Sequence, residues 1–238
     1  MFKIEDIVNK VHCADCLGFL RQMPGESVDM VLTDPPYGIN GGRGVGSRVR
    51  CRSKATYNGS FPDTREYIAE KVMPIIKECF RISSAVVITP GSFSMHLYPP
   101  PDSFGCFYMP ASVGLQRWGF MDSQPIFYYG KYYLQGKGPR PCSFVLTEHP
   151  DCKEHPCAKP IKTWTRLLDG CCSKDSIILD PFLGSGTTAV AAIQTGRRFI
   201  GIEIDPGYCE IARKRIAQAR EQQDLFRKPE TTKQTELI

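Results

Sequence analysis

The stretch SIILDPFLGSGTTAVAAIQTGRRFIGIEID, residues 176–205, constrains this chain more than any other. An apolar run of strand length ends at Asp180, a turn carries Gly184 and Gly186, a helical run starts near Thr187, and a second apolar run ends at Glu203. A helix between two short apolar runs returns the chain to the same end of a sheet, which predicts parallel strands. The glycines let a ligand approach the main chain, and the helix start leaves backbone N–H groups unpaired beside it. Glu203 follows Asp180 by 23 residues, where a carboxylate can accept hydrogen bonds from both hydroxyls of a ribose. The stretch therefore predicts a nucleoside pocket. The spacing Gly184-x-Gly186-x-x-Ala189 also fits a dinucleotide fingerprint, so this segment alone leaves an NAD-dependent enzyme open.

The rest of the chain repeats the alternation. KVHCAD reads as a strand, CLGFLRQM as a helix, Pro24-Gly25 as a turn and SVDMVLT as a strand buried on both faces. A helix over DTREYIAEKVMPIIKECFRI follows, with Asp63 or Thr64 as N-cap and a kink at Pro74, and then a buried strand in SSAVVITPG. Residues 91–155 change character, with three successive prolines and many aromatics. They predict an inserted, irregular recognition region with a β-hairpin formed by QPIFYYGKYY and CSFVLTE. A helix at IKTWTRLLDGC leads into the glycine stretch, and PGYCEIARKRIAQAREQ closes the chain before a polar tail at 222–238. With 238 residues and 42% apolar content, a single α/β domain spanning 1–238 is expected, Rossmann-like, with a mostly parallel sheet covered by helices on both faces. No internal repeat is evident. No apolar run approaches the ~20 residues of a membrane span, and nothing at the N-terminus reads as an export signal. Eleven cysteines, an odd number in a chain of this size, then read as reduced cytoplasmic thiols.

A second motif separates the alternatives. In VDMVLTDPPYGIN, an apolar strand stops on Asp34, Pro35, Pro36 and Tyr37. TDPPYG and DPFLGSGTT, in that order and together with HCADCL, EHPCAKP and FIGIEIDPGYCEIARKRI, resemble the β-class S-adenosylmethionine-dependent DNA amino-methyltransferases, in which the substrate motif precedes the cofactor motif. The resemblance covers both ends of the chain, and the middle matches only in outline.

It implies a class I methyltransferase fold and methyl transfer from S-adenosylmethionine to the exocyclic N6 of adenine in double-stranded DNA. The cofactor would meet Asp15, Asp180, Phe182, Gly184, Gly186, Thr187, Thr188 and Glu203, with Asp15 at its adenine. The target base would meet Asp34, Pro35, Pro36 and Tyr37. An exocyclic amine is a poor nucleophile because its lone pair is delocalised into the ring. Asp34 and the Pro35 carbonyl can each accept one N–H and draw that pair out of conjugation, while Tyr37 gives a flipped base a face to stack on. Aspartate at the first motif position favours adenine, whereas cytosine-N4 enzymes of the family usually carry serine there. Cytosine-N4 transfer and a non-catalytic DNA-binding module of the same fold are the alternatives.

Net charge is only +5, but residues 38–62 hold Arg43, Arg48, Arg50, Arg52 and Lys54 among six glycines, with no Asp or Glu between Gly38 and Pro62. That composition predicts a mobile basic loop that contacts DNA phosphates. Aromatics interleaved with Lys131, Lys137 and Arg140 suit target recognition. His149, Cys152, His155 and Cys157 match no zinc spacing, so no metal is expected. Cys13 and Cys16, either side of Asp15, read as buried small hydrophobes rather than a redox pair. Gln222–Phe226, QQDLF, resembles the peptide with which bacterial replication proteins dock on the sliding clamp. Oligomeric state, monomer or dimer, is open.

Overall fold

The structure, a computed structural model, describes residues 1–38, 62–110, 114–116, 119–130, 141–146 and 158–226. The expectations placed on Arg43 to Lys54, on Lys131, Lys137 and Arg140, on His149 to Cys157 and on the tail past Phe226 lie outside the described residues.

The chain opens with α1 (Ile4–Ile7), β1 (Lys10–Cys13), α2 (Cys16–Leu20) and β2 (Met30–Thr33). After the basic segment come α3 (Arg65–Tyr67), a π-helical turn (Ile68–Val72), α4 (Met73–Ile82) and β3 (Ala85–Ile88). The middle supplies β4 (Ser103–Tyr108), β5 (Gly114–Gln116), β6 (Gly119–Met121), β7 (Ser123–Gly130) and β8 (Phe144–Val145). Last are α5 (Ile161–Cys171), β9 (Ile177–Asp180), α6 (Thr187–Gln194), β10 (Arg198–Glu203) and α7 (Pro206–Phe226). Among the described residues, eight strands form one sheet in the order β1-β10-β9-β2-β3-β7-β4-β8, and β5 and β6 pair in a separate ribbon. The first five run parallel, as expected.

Alternation explains why these strands need helices on both sides. Val31, Val86, Ile88, Ile177, Leu179, Ile200 and Ile202 point into one core with α2 and α4. Their neighbours Met30, Leu32, Val87, Ile178 and Phe199 point into the other, with α5, α6 and α7. Each strand is thus apolar at successive positions, which only a doubly covered sheet can bury.

Several local outcomes refine or correct the sequence reading. Where a kink at Pro74 was expected, the turn before it widens to a π-helix and the α-helix continues from Met73. Proline offers no N–H to the preceding turn and crowds the carbonyl four residues back, and the wider turn accommodates both. Thr64 is the N-cap, its Oγ1 accepting the Tyr67 N–H at 3.1 Å, while Asp63 accepts the Gly38 N–H at 2.6 Å. The expected hairpin of β7 with β8 does not form: β7 lies antiparallel between β3 and β4, and β8 pairs with β4. The reason is burial, since Ile126 and Phe127 face opposite cores, which a strand outside the sheet could not satisfy. The closing helix also continues through Phe226, into the segment expected to be tail.

Candidate active site

Strand order reverses direction between β9 and β2: the chain moves outward one way through β10 and the other way through β3. In an open α/β sheet that point leaves a crevice outside the carboxyl ends of the strands. Asp180 ends β9 there, and Asp34 follows β2. A cavity of about 400 Å³ occupies the crevice.

The two strand ends are tied by a buried chain of hydrogen bonds. Thr33 Oγ1 donates to Asp180 Oδ1 at 2.7 Å, Thr188 Oγ1 to Oδ2 at 2.6 Å, and the Phe182 N–H to Oδ1 at 3.0 Å. Trp164 Nε1 in turn donates to Thr188 Oγ1 at 3.0 Å. Asp180 and Thr188, expected at the cofactor, line the cavity but direct their polar atoms to each other. Burial raises the Asp180 pKa to about 6, against the lowering effect of its three donors. Because the folded value exceeds the unfolded one, Asp180 favours folding at low pH, and that contribution is lost as pH rises through about 6. Asp180→Asn removes the titration. The stability of the native protein relative to this variant should therefore fall by about 1 kcal/mol between pH 5 and pH 7.5. Urea unfolding of both proteins measures it, and a pH-independent difference would refute this ionisation.

The glycine loop is anchored from below and from the side. Glu203 Oε2 accepts the Gly184 N–H at 2.8 Å and Oε1 the Asp205 N–H at 2.9 Å, while burial pushes its pKa up. Arg215 of α7 donates from Nη1 to the Ser185 carbonyl at 2.6 Å and to Ser185 Oγ at 2.9 Å. Phe182, Gly184, Thr187 and Glu203 line the cavity together, as does Asp15. Asp15 occupies the N-cap position of α2, yet its side chain makes no capping bond. Gly186 also carries a packing constraint. Its φ is +85°, and a β-carbon there would lie 3.0 Å from Ala212 Cβ. The absence of a side chain there lets α6 pack closely on α7.

Asp34, Pro35, Pro36 and Tyr37 line the same cavity. The Asp34 carboxylate is already surrounded: Oδ1 accepts from the hydroxyls of Tyr37 and Thr89, and Oδ2 pairs with the Lys159 ammonium. Gln124 of β7 donates to the Tyr37 hydroxyl. The Tyr37 ring packs on Gly91, where a β-carbon would come within 2.6 Å of it and where φ is +70°. Only glycine permits that approach without moving the ring.

Sequence reasoning did not single out Lys159, Thr89, Gln124 or Ile204. Thr89 could have been found as the residue just past β3, the strand paired with β2. Lys159 lay within a quoted motif, where a lysine directly before a proline and a helix was the available signal. Ile204, 56% exposed on the cavity wall beside Glu203, had none beyond its position. Among the described residues, no group of three His, Cys, Asp or Glu side chains could hold a metal.

Comparison with solved structures defines the fold. The M1.HpyAVI–S-adenosylmethionine complex matches with a TM-score of 0.58 at 20% identity, covering 87% of this chain and 98% of that one. PvuII DNA methyltransferase, described as cytosine-N4-specific, matches with a TM-score of 0.60 at 16% identity, covering 89% of each. The architecture is that of the Rossmann-like class I methyltransferases. A family profile described as DNA methylase, N6_N4_Mtase, matches residues 125–214. Type II methyltransferase M2.DpnII of Streptococcus pneumoniae is 30% identical over 87% of this chain and 89% of its own. DNA adenine methyltransferase YhdJ of Escherichia coli is 27% identical over 85% and 80%. The chain belongs to this DNA methylase family.

Proposed function

We propose that the chain transfers a methyl group from S-adenosylmethionine to the exocyclic N6 of adenine in double-stranded DNA, with the base flipped out of the duplex. The observation that carries the reading is that Asp34 and Glu203 line one cavity, with Glu203 bonded to the glycine loop. Catalysis is then largely a matter of holding the reacting atoms together.

The residues present fit the cofactor. Each oxygen of Glu203 accepts one backbone N–H and keeps lone-pair capacity for a ribose hydroxyl. Ile204 offers an exposed apolar surface beside it, and Asp15 has a carboxylate not spent on capping. When bound, S-adenosylmethionine supplies a methyl group on a positively charged sulfur. Asp34 accepts one N–H of the substrate amine and the Pro35 carbonyl the other, which turns the nitrogen lone pair out of the ring. Tyr37 provides the stacking surface.

Adenine is favoured over cytosine-N4 because the first motif position is Asp34 and because YhdJ, similar along most of its length, is named for adenine. The fold itself accommodates either base, as the PvuII enzyme's description indicates. Gly38 and Asp63, hydrogen-bonded at 2.6 Å, bring both ends of the basic segment together, next in the chain to Tyr37 of the cavity lining. That placement supports phosphate contact by Arg43, Arg48, Arg50, Arg52 and Lys54. Among the described residues no helix is long and apolar enough to cross a membrane, and a cytoplasmic restriction-modification setting accords with the Type II relative. Docking of Gln222–Phe226 on a sliding clamp would require the last turns of α7 to open and Gln223 to leave the Ile193 carbonyl, which it meets at 2.8 Å. Unchanged clamp pull-down after deletion of residues 221–238 would dispose of that partner.

The test of the function is to incubate the protein with plasmid DNA and methyl-labelled S-adenosylmethionine and to identify the labelled nucleoside after digestion. N6-methyladenine is the expected product. N4-methylcytosine would overturn the base assignment, and absence of label with retained DNA binding would favour a non-catalytic module.

A further inference from the structure

Lys159 occupies an unusual position for a lysine. Its side chain is 13% exposed, and its ammonium is paired with Asp34 Oδ2. The same Nζ lies 5.1 Å from the centroid of the Tyr37 ring and 6.0 Å from that of Trp164. Lysines seldom withdraw their charge from water unless partners replace the lost hydration. Here one carboxylate and two aromatic faces do so. The cage is itself anchored, since Trp164 is held through Thr188 to Asp180. Pro160, the N-cap of α5, directly follows the lysine.

We propose that Lys159 is a positioning residue for methyl transfer, holding the Asp34 carboxylate so that a free lone pair on Oδ2 meets the substrate amine. This inference rests on the function proposed above. The terminal torsion of an aspartate is broad and poorly self-limiting. Tyr37 and Thr89 both bind Oδ1, and neither holds Oδ2. Lys159 supplies the contact on Oδ2 and sets the plane of the group. It also offsets a like charge, because the Asp180 carboxylate is bound to Thr33, the residue next to Asp34. Without the ammonium, two carboxylates at adjoining strand ends would repel each other. Lys159 neither attacks nor takes a proton in this role; it acts through Asp34.

The closing experiment measures steady-state labelling of plasmid adenine by wild type and by Lys159→Met, Lys159→Arg and Lys159→Ala. Lys159→Met keeps the packing against Tyr37 and Trp164 and removes the charge. Its kcat should fall about 100-fold, with the KM for S-adenosylmethionine within about threefold of wild type. Lys159→Arg should retain part of the activity, and ethylammonium added to Lys159→Ala should restore part of it. A Lys159→Met enzyme as fast as wild type would overturn the inference alone. So would a faster one, which would make the lysine a placeholder that the base must displace. Absence of adenine labelling by wild type would overturn the functional reading and this inference with it.

Discussion

Asp34→Ala is expected to lower the rate of adenine methylation by about 1,000-fold or more while leaving the affinity for S-adenosylmethionine within about threefold. The asymmetry follows from the layout of the cavity. Asp34 is in contact with Tyr37 and Lys159, whereas Glu203 is bonded to the glycine loop. Removing the carboxylate takes away the acceptor for the substrate amine and orphans the donors that now meet it, namely Tyr37, Thr89 and Lys159. A loss of that size corresponds to about 4 kcal/mol of transition-state stabilisation, more than a single neutral hydrogen bond supplies. It is reasonable here because the bond is charge-assisted and sits in a partly dry site. Asp34→Asn separates shape from charge: it keeps the volume but presents a weaker acceptor, and it should lose most of the same activity. Nucleoside analysis after single-turnover labelling, beside calorimetric titration of the cofactor, measures both quantities. A variant retaining a tenth of wild-type activity would show that Asp34 is not the principal acceptor.

Glu203→Ala should produce the converse pattern, a cofactor dissociation constant raised about 100-fold or more. Two charge-assisted bonds to a ribose are lost, each contributing about 1.5–3 kcal/mol. The carboxylate also accepts the Gly184 and Asp205 N–H groups, so its removal loosens the loop that forms the rest of the site. Glu203→Gln retains an oxygen acceptor and should lie between the two. Calorimetry with S-adenosylmethionine tests the order of the three proteins. An alanine variant binding within threefold of wild type would remove Glu203 from the cofactor site. The two substitutions together test whether the cavity is divided as proposed, because one should act on rate and the other on binding.

The glycine stretch could be read directly because its information is local. Two apolar runs, the helix between them and the carboxylates at their ends depend on neighbours in the chain, and β9, α6 and β10 follow the expected boundaries closely. The D-P-P-Y turn was legible for the same reason. The middle of the chain was not, because β7 is stabilised by strands far from it in sequence. Ile126 and Phe127 give no local sign of which strands will cover them. The π-helical turn before Pro74 was hidden in the same way, since a proline in a helical pattern predicts a disturbance but not its form.

By itself, the amino-acid sequence determined the α/β class, the order of the two motifs, the residues Asp34, Gly184 and Glu203, and the family to which they belong. Each rests on periodicity or on motifs contained within a short run of chain. Only the tertiary structure decided that Thr33 and Asp180, 147 residues apart, share a hydrogen bond and that Lys159 reaches Asp34. It also decided that Gly186 packs α6 closely against Ala212 of α7. Those contacts depend on where the parallel sheet reverses its strand order, and strand pairing is set by burial summed over the whole sheet rather than by any one segment.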